Sequence, residues 1–301
     1  MPRPAALVWM VLIPYMFLPE AYAINLPGLP PLEKGTVIAG SLLLAFALFA
    51  PPERGYSRTP ATRTPPETGR PWLRRLLWAC IVTMALGAAL TVRQNTDPIV
   101  LIDRTIPGTG PRDLISFSLQ TLVMLTPFFL AVRYLRTAED RQTLLRACVT
   151  AGLIYSLFML VELRLSPQFH NWLYGFHQHS FLQHVRDGYR PKVFLDHGLQ
   201  VGFFMLTSLL AALALWKEAR KPHWIFAALW LGLILLLSRN LGATMIAVMV
   251  SGLMLLNIAS LTRITVIGVC VILLAYPTLR VSPLSPVDPA LQLASTISED
   301  R

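Results

Sequence analysis

The fold is decided by ELRLSPQFHNWLYGFHQHSFLQHVRDGYRPKVFLDHGLQ, residues 162–200. This stretch holds five of the six histidines (His170, His177, His179, His184 and His197) together with Arg164, Arg186, Arg190 and Lys192. Long apolar runs flank it on both sides. A cationic, aromatic insert of this kind between two hydrophobic spans marks the working part of a membrane protein.

Working outward, the composition agrees. The chain is 54% hydrophobic and only 14% charged, with a mean hydropathy of +0.54. Soluble domains carry nearer ~25% charge. Apolar runs of about 20 residues recur, enough to cross a hydrocarbon core about 30 Å thick. Lipid cannot satisfy open strand edges, so the spans are predicted to be helices and the fold class all-α and polytopic. Cys80, Cys148 and Cys270 fall inside apolar runs without metal spacing and read as small core residues.

The boundaries follow from breakers and charge. Residues 1–50 read as an N-terminal transmembrane hairpin, joined by a Pro-rich outer turn at 24–34. Ala21-Tyr22-Ala23 resembles a signal-peptidase site, but Glu20 interrupts it, and the first span is read as retained. Residues 51–75 form an Arg- and Pro-rich loop. Helices 3–5 occupy 76–161, broken by a loop at 93–112. The loop 162–197 follows, and 198–279 carries helices 6–9. From Trp224 to Ile258 run 35 residues broken only by Ser238-Arg239-Asn240, too long for one span and read as a helical hairpin with Arg239 at its tip. Residues 280–301 are a polar, Pro-containing tail.

About nine spans alternate sides. The loops on one side, including Arg3, 51–75, 133–146, 217–223 and Arg263, carry the whole net charge of +10, and those on the other side balance to zero. The positive-inside rule then places the N-terminus in the cytoplasm, with loop 162–197, Arg239 and the C-terminus outside. Because the basic residues sit in short loops, their charge reads as a topology signal and not as a nucleic-acid surface.

On the outer face positive charge has no topological role, so Arg186, Arg190, Lys192 and Arg239 stand out. An arginine fork matches phosphate oxygens at two points and stays charged at any relevant pH. One reading is a clamp for a lipid diphosphate. The other is an interfacial arginine, or an ion pair with Asp187, Asp196 or Glu162. His177, His179 and His184 have no zinc-like spacing and no completing cysteine or carboxylate set, so no metal is expected. Phe169, Trp172, Leu173, Phe176 and, further on, Ser180 and Phe181 recur at spacings of three to four. They predict an interfacial helix over 168–185, with its histidines facing water or headgroups. His197, at the mouth of span six, is the candidate catalytic base; capping beside Asp196 is its alternative role. The sequence contains no nucleotide loop and no nucleophile elbow, so no cofactor is expected.

These residues resemble the bacterial O-antigen ligase and polymerase family of inner-membrane proteins, its exopolysaccharide-type members in particular. The likeness rests on LVELRLSPQFHNWLYGFHQHSF, RDGYRPKVFLDHGLQVGFF and LLLSRNLGA. Its two motifs are Arg190 to Gly198 at a span mouth and Ser238-Arg239-Asn240 at the outer end of another, with Asn240 where the family usually has glycine. The resemblance implies a GT-C-like helical bundle and a metal-independent inverting glycosyltransferase. Such an enzyme moves a glycan from undecaprenyl diphosphate to a hydroxyl of lipid A–core or of another glycan, at the periplasmic face. Arg190 and Arg239 would bind the diphosphate. Family members continue into a second periplasmic loop that carries a histidine base. The resemblance therefore implies either a C-terminally truncated chain, with 280–301 opening that loop, or His197 standing in for the base. Two other functions fit the sequence: a non-catalytic component of a polysaccharide-assembly complex, and a transporter of lipid-linked sugars, which would need ionisable groups deep in its spans.

Overall fold

The computed structural model describes residues 3–20, 22–24, 31–49, 71–100, 105–135, 137–176, 184–185, 188–258, 260–265 and 267–271. The chain is mostly helical. The order is α1 (Arg3–Phe17), α2 (Lys34–Phe49), α3 (Pro71–Gln94), β1 (Ile99–Val100), β2 (Thr105–Ile106), α4 (Pro111–Tyr134), α5 (Ala138–Leu165), α6 (Phe169–Tyr174), β3 (His184–Val185), β4 (Gly188–Tyr189), α7 (Gly198–Ala219), α8 (Pro222–Leu237) and α9 (Leu241–Leu256). The strands form two short antiparallel pairs, β1 with β2 and β3 with β4.

Among the described residues, three helices are long and apolar enough to cross a membrane: α4, α5 and α7, of 24, 28 and 22 residues. The remaining apolar stretches are shorter; in α3, itself 24 residues long, the apolar part is Ile81–Gln94. At about 1.5 Å per residue, the 16 residues of α8 or α9 fall short of a core about 30 Å thick. Much of the apolar surface is uncovered. Phe117, Leu122 and Met124 of α4 and Phe226, Leu229 and Leu236 of α8 are all exposed, as helices meeting lipid require.

Local signals set the helix ends. Thr137 caps α5: its side-chain oxygen accepts the Asp140 N–H at 3.1 Å, and Asp140 accepts the Thr137 N–H at 2.8 Å. Pro111 and Pro222 occupy first-turn positions of α4 and α8, where a missing N–H costs nothing. Ser166, at φ 72°, stops α5 before Pro167.

The chain forms two compact units that divide after Thr244. In the first, α5, α7 and α8 pack about Tyr155, Met159, Val201, Met205, Ala212, Leu231 and Ile234, all fully buried. The α5–α7 seam uses small residues that let the backbones approach, and the Trp230 indole donates to Ser156 Oγ at 2.9 Å across α5 and α8. Leu7, Val8, Ile38 and Leu42 of α1 and α2 form a second buried cluster with Ala147 of α5. In the second unit the described residues are the remainder of α9 and the helical residues at 260–265 and 267–271, where Ile264 and Ile267 are exposed.

The break expected at Ser238-Arg239-Asn240 is present: α8 ends at Leu237 and α9 begins at Leu241. The interfacial helix expected over 168–185 is not: α6 stops at Tyr174. Gly175 takes the left-handed conformation at φ 74° and ends the helix; residues 177–183 lie outside the described residues, and His184–Val185 pair as β3 with β4. Span nine was expected over 264–279, of which 266 and 272–279 lie outside the described residues, as does the tail 280–301. The loop expected over 51–75 ends sooner: 51–70 lie outside the described residues, and α3 already begins at Pro71.

A Cβ added at Gly152 would lie 2.5 Å from the Ser208 Cβ and Oγ on α7 and 3.3 Å from a Leu231 methyl on α8. Gly152→Ala is therefore expected to part these helices at a cost of about 1–3 kcal/mol. Thermal unfolding of the purified protein in detergent checks this, with Gly40→Ala, which meets nothing within 4 Å, as the control that leaves the midpoint unchanged.

Candidate functional site

Burying the last turn of α5 places a carboxylate where few partners exist. Glu162 is only 1% exposed. Its Oε2 accepts the backbone N–H of Lys192 at 2.8 Å and of Val193 at 2.7 Å, and its Oε1 accepts the Phe169 N–H at 3.3 Å. Two consecutive N–H groups converge on one oxygen because Val193 turns the chain through φ 55°. One helical turn pair earlier on the same face, Tyr155 completes the clasp. Its hydroxyl donates to the Lys192 carbonyl at 3.2 Å and accepts the Phe194 N–H at 3.0 Å. The segment RPKVFLDH, 190–197, is thus held to α5 by its backbone, which leaves its side chains to face outward or into the cage around them.

That cage is aromatic. Phe194 lies 5.7 Å from Phe17 and 6.0 Å from Phe158, Phe169 and Tyr174, measured between ring centroids. The Tyr174 hydroxyl donates to the Phe17 carbonyl and ties α6 to the end of α1. Of the residues whose spacing predicts an interfacial helix, Phe169 and Phe176 turn inward, while Trp172 and Leu173 are exposed.

Within this wall sits His170, buried, against Phe176 at 5.2 Å and Tyr174 at 5.3 Å. This corrects the expectation that the loop histidines face water or headgroups: packing of α6 against Phe194 carries this one inside. Neither ring nitrogen has a hydrogen-bond partner among the described residues. Burial first, and then the charges of Lys34 and Lys192, pull its pKa from 6.5 to about 4. Lys34, at the start of α2, pairs with Glu20 at 2.8 Å and lies 5.2 Å over the Tyr15 ring. Burial pulls the Lys192 ammonium below its usual range, against the opposing pull of Asp196 and Glu162.

The second half of the site is the α8–α9 turn. Ser238 Oγ donates back to the Leu235 carbonyl at 2.6 Å, and Arg239 takes the left-handed conformation at φ 54° with its side chain exposed. Asn240 is buried and its amide donates to the Gly198 carbonyl at 3.0 Å. A Cβ on Gly202 would overlap that amide, so the close approach of the turn to α7 needs the glycine. His197 is the N-cap of α7: its Nδ1 accepts the Leu199 N–H at 3.0 Å. In a neutral imidazole the proton then rests on Nε2, which faces outward from an exposed residue.

The structure thus brings His197 and Arg239 to either side of the Asn240–Gly198 bond. Lys192 lies on the Glu162 side of the same segment. Arg190 is half-buried, and its Nε is buried with no hydrogen-bond partner among the described residues. Arg186 lies outside the described residues, as do His177 and His179. Glu162 forms no ion pair with Arg239; its partners are the backbone N–H groups of Phe169, Lys192 and Val193. No group of three or more histidine, cysteine, aspartate or glutamate side chains gathers for a metal among the described residues. Tyr155, Glu162, Lys34 and His170 escape a reading of the sequence by motif. The available signal was a carboxylate at the end of a long apolar run with a tyrosine seven positions before it.

Compared with known proteins, the chain matches no family model, no curated protein and no solved structure.

Two predictions follow from this geometry. Glu162→Ala leaves buried N–H groups unsatisfied at about 1–3 kcal/mol each, and is expected to release 190–197. Amide hydrogen exchange at Lys192 and Val193 should accelerate while α4 stays protected. Because His170 has its pKa lowered on folding, the unfolded chain binds more protons between pH 6.5 and about 4, and stability falls as pH drops through that window. His170→Phe, which fits the aromatic cage, is expected to flatten this dependence in thermal melts recorded from pH 7 to 4.

Proposed function

We propose that the chain is a membrane glycosyltransferase of the O-antigen ligase/polymerase type. It transfers a glycan from undecaprenyl diphosphate to a hydroxyl of lipid A–core or of another glycan, at the periplasmic face of the bacterial inner membrane. The observation that carries the reading is the Asn240–Gly198 bond. It holds together two motifs 40 residues apart in the sequence, each of which supplies an arginine or a proton-handling group at the mouth of α7.

In this reading the chain crosses the membrane about nine times with its N-terminus in the cytoplasm, and α8 and α9 form a hairpin whose tip faces the periplasm. Arg190 and Arg239, with Lys192 and Arg186, hold the donor diphosphate. The acceptor oxygen attacks the anomeric carbon from the face opposite the diphosphate. The new C–O bond forms as the C–O bond to phosphate breaks, the configuration inverts, and the lipid diphosphate leaves with the bonding electrons. Arginines placed there offset the negative charge that grows on the leaving oxygen. The acceptor proton goes to His197. Its Nδ1 lone pair is engaged by the Leu199 N–H, so the ring becomes a base by turning off that cap, at a cost of about 1 kcal/mol. The chemistry uses no metal and no cofactor.

Arg239→Ala and Arg190→Ala are each expected to lower glycan transfer by about 10²–10³-fold, with membrane insertion unchanged. Transfer is read as glycan-bearing lipid A–core or lengthened polymer on gels of envelope extracts. Undiminished transfer in both variants would sink the diphosphate clamp and favour a non-catalytic role.

A further inference from the structure

At the end of the α5–α7 pair away from His197, a cavity of about 260 Å³ opens between the start of α5, the end of α7 and the start of α8. The two helices run antiparallel: Glu162 meets Lys192 just ahead of α7, whereas Arg141, in the first turns of α5, reaches Glu218 near the end of α7 at 3.6 Å. The wall of the cavity carries three basic side chains, Arg146, Lys221 and His223, beside Trp224. Its one acid, Glu218, is engaged by Arg141 outside the cavity wall. Arg146 is held in place by the Gln142 side chain at 3.1 Å. No side chain caps the amino end of α8, so its first turn adds positive potential from the same direction. The floor is Leu215, which is buried.

Two further features set the depth of this cavity. The Arg220 guanidinium lies 4.9 Å over the Trp216 ring, and His223 lies 4.5 Å from Trp224 between centroids. Tryptophan rings beside cations at a helix end are the arrangement of a membrane–water boundary. From there Leu215 continues into an apolar helix, while the basic groups remain at headgroup level.

We propose that this cavity binds the phosphate of an anionic phospholipid headgroup, with Arg146 and Lys221 on the phosphate oxygens and the acyl chains running down the α7–α8 surface. A basic pocket between helices at this depth suits a phosphate fixed to a lipid. The shared chemistry is phosphate, and a free phosphate ion is the other source of it. The site stands apart from the diphosphate clamp and does not depend on it.

The test is native mass spectrometry of the full chain in detergent, titrated with phosphatidylglycerol, with phosphatidylcholine, or with inorganic phosphate. Phosphatidylglycerol is expected to stay bound through detergent release, and Arg146→Gln with Lys221→Gln to weaken it by about thirtyfold. Arg146→Lys with Lys221→Arg keeps the charge and is expected to retain most of the binding, and it serves as the readout if the neutral pair does not fold. Inorganic phosphate that displaces the lipid supports the phosphate chemistry; phosphate that binds equally well without any lipid preference makes a free anion the source and overturns the lipid assignment. Equal retention of phosphatidylcholine and phosphatidylglycerol, or undiminished binding in the neutral pair, overturns the proposal.

Discussion

The His197 end of this bundle depends on one buried carboxylate. Glu162 gives up its hydration to sit at the end of α5, and a bare carboxylate there would cost several kcal/mol. Three backbone N–H groups replace the lost water. The exchange works in both directions, because those N–H groups lie in irregular chain at the end of an apolar helix, where unmatched backbone is equally costly. Tyr155 does the same for the next donor and acceptor along the segment. Once residues 192–194 are held, the rest follows: Phe194 enters the aromatic wall, Lys192 is drawn into the interior, and His197 arrives in position to cap α7. The left-handed Val193 is the local strain that this arrangement requires.

Positive charge is then gathered in a place that resists it. Lys34 and Lys192 are both nearly inaccessible, and His170 lies between their fields. The arrangement holds because each cation is offset differently. Lys34 has Glu20 and the face of Tyr15, Lys192 has the pull of Asp196 and Glu162, and His170 stays neutral. A third charge would meet two like charges and an aromatic wall. The neutrality of His170 is therefore part of what lets the two lysines remain inside.

How much of this was legible in the sequence differs by the kind of signal. Apolar runs and their breakers located the long helices, and the Ser238-Arg239-Asn240 interruption located the α8–α9 turn, because a lone polar triplet in 35 apolar residues has few other structural meanings. The capping role was among the readings of His197 because a span began just after it. The 168–185 helix was misread, since a three-to-four spacing of aromatics is the same whether they face a bilayer or one another. Gly175 was the deciding residue, and nothing in a one-dimensional pattern says that it will adopt the left-handed conformation. Glu162 looked like an ion-pair partner because arginines surround it in the sequence. Its actual partners are peptide N–H groups, which every residue carries and no motif can single out.

The two ends of the α5–α7 pair treat positive charge in opposite ways. At the His197 end the lysines are buried, their neighbours are fixed by hydrogen bonds, and little salt can reach them. At the other end Lys221 and His223 are exposed, and Arg220 is held on a tryptophan face. Exposed charges act within about 10 Å and weaken as salt rises, whereas buried ones are screened far less. Groups at the His197 end are therefore fixed in geometry, while those at the other end act mainly through their charge. The same two helices carry a rigid end and an electrostatically open one, because the Glu162 clasp holds the end where it sits.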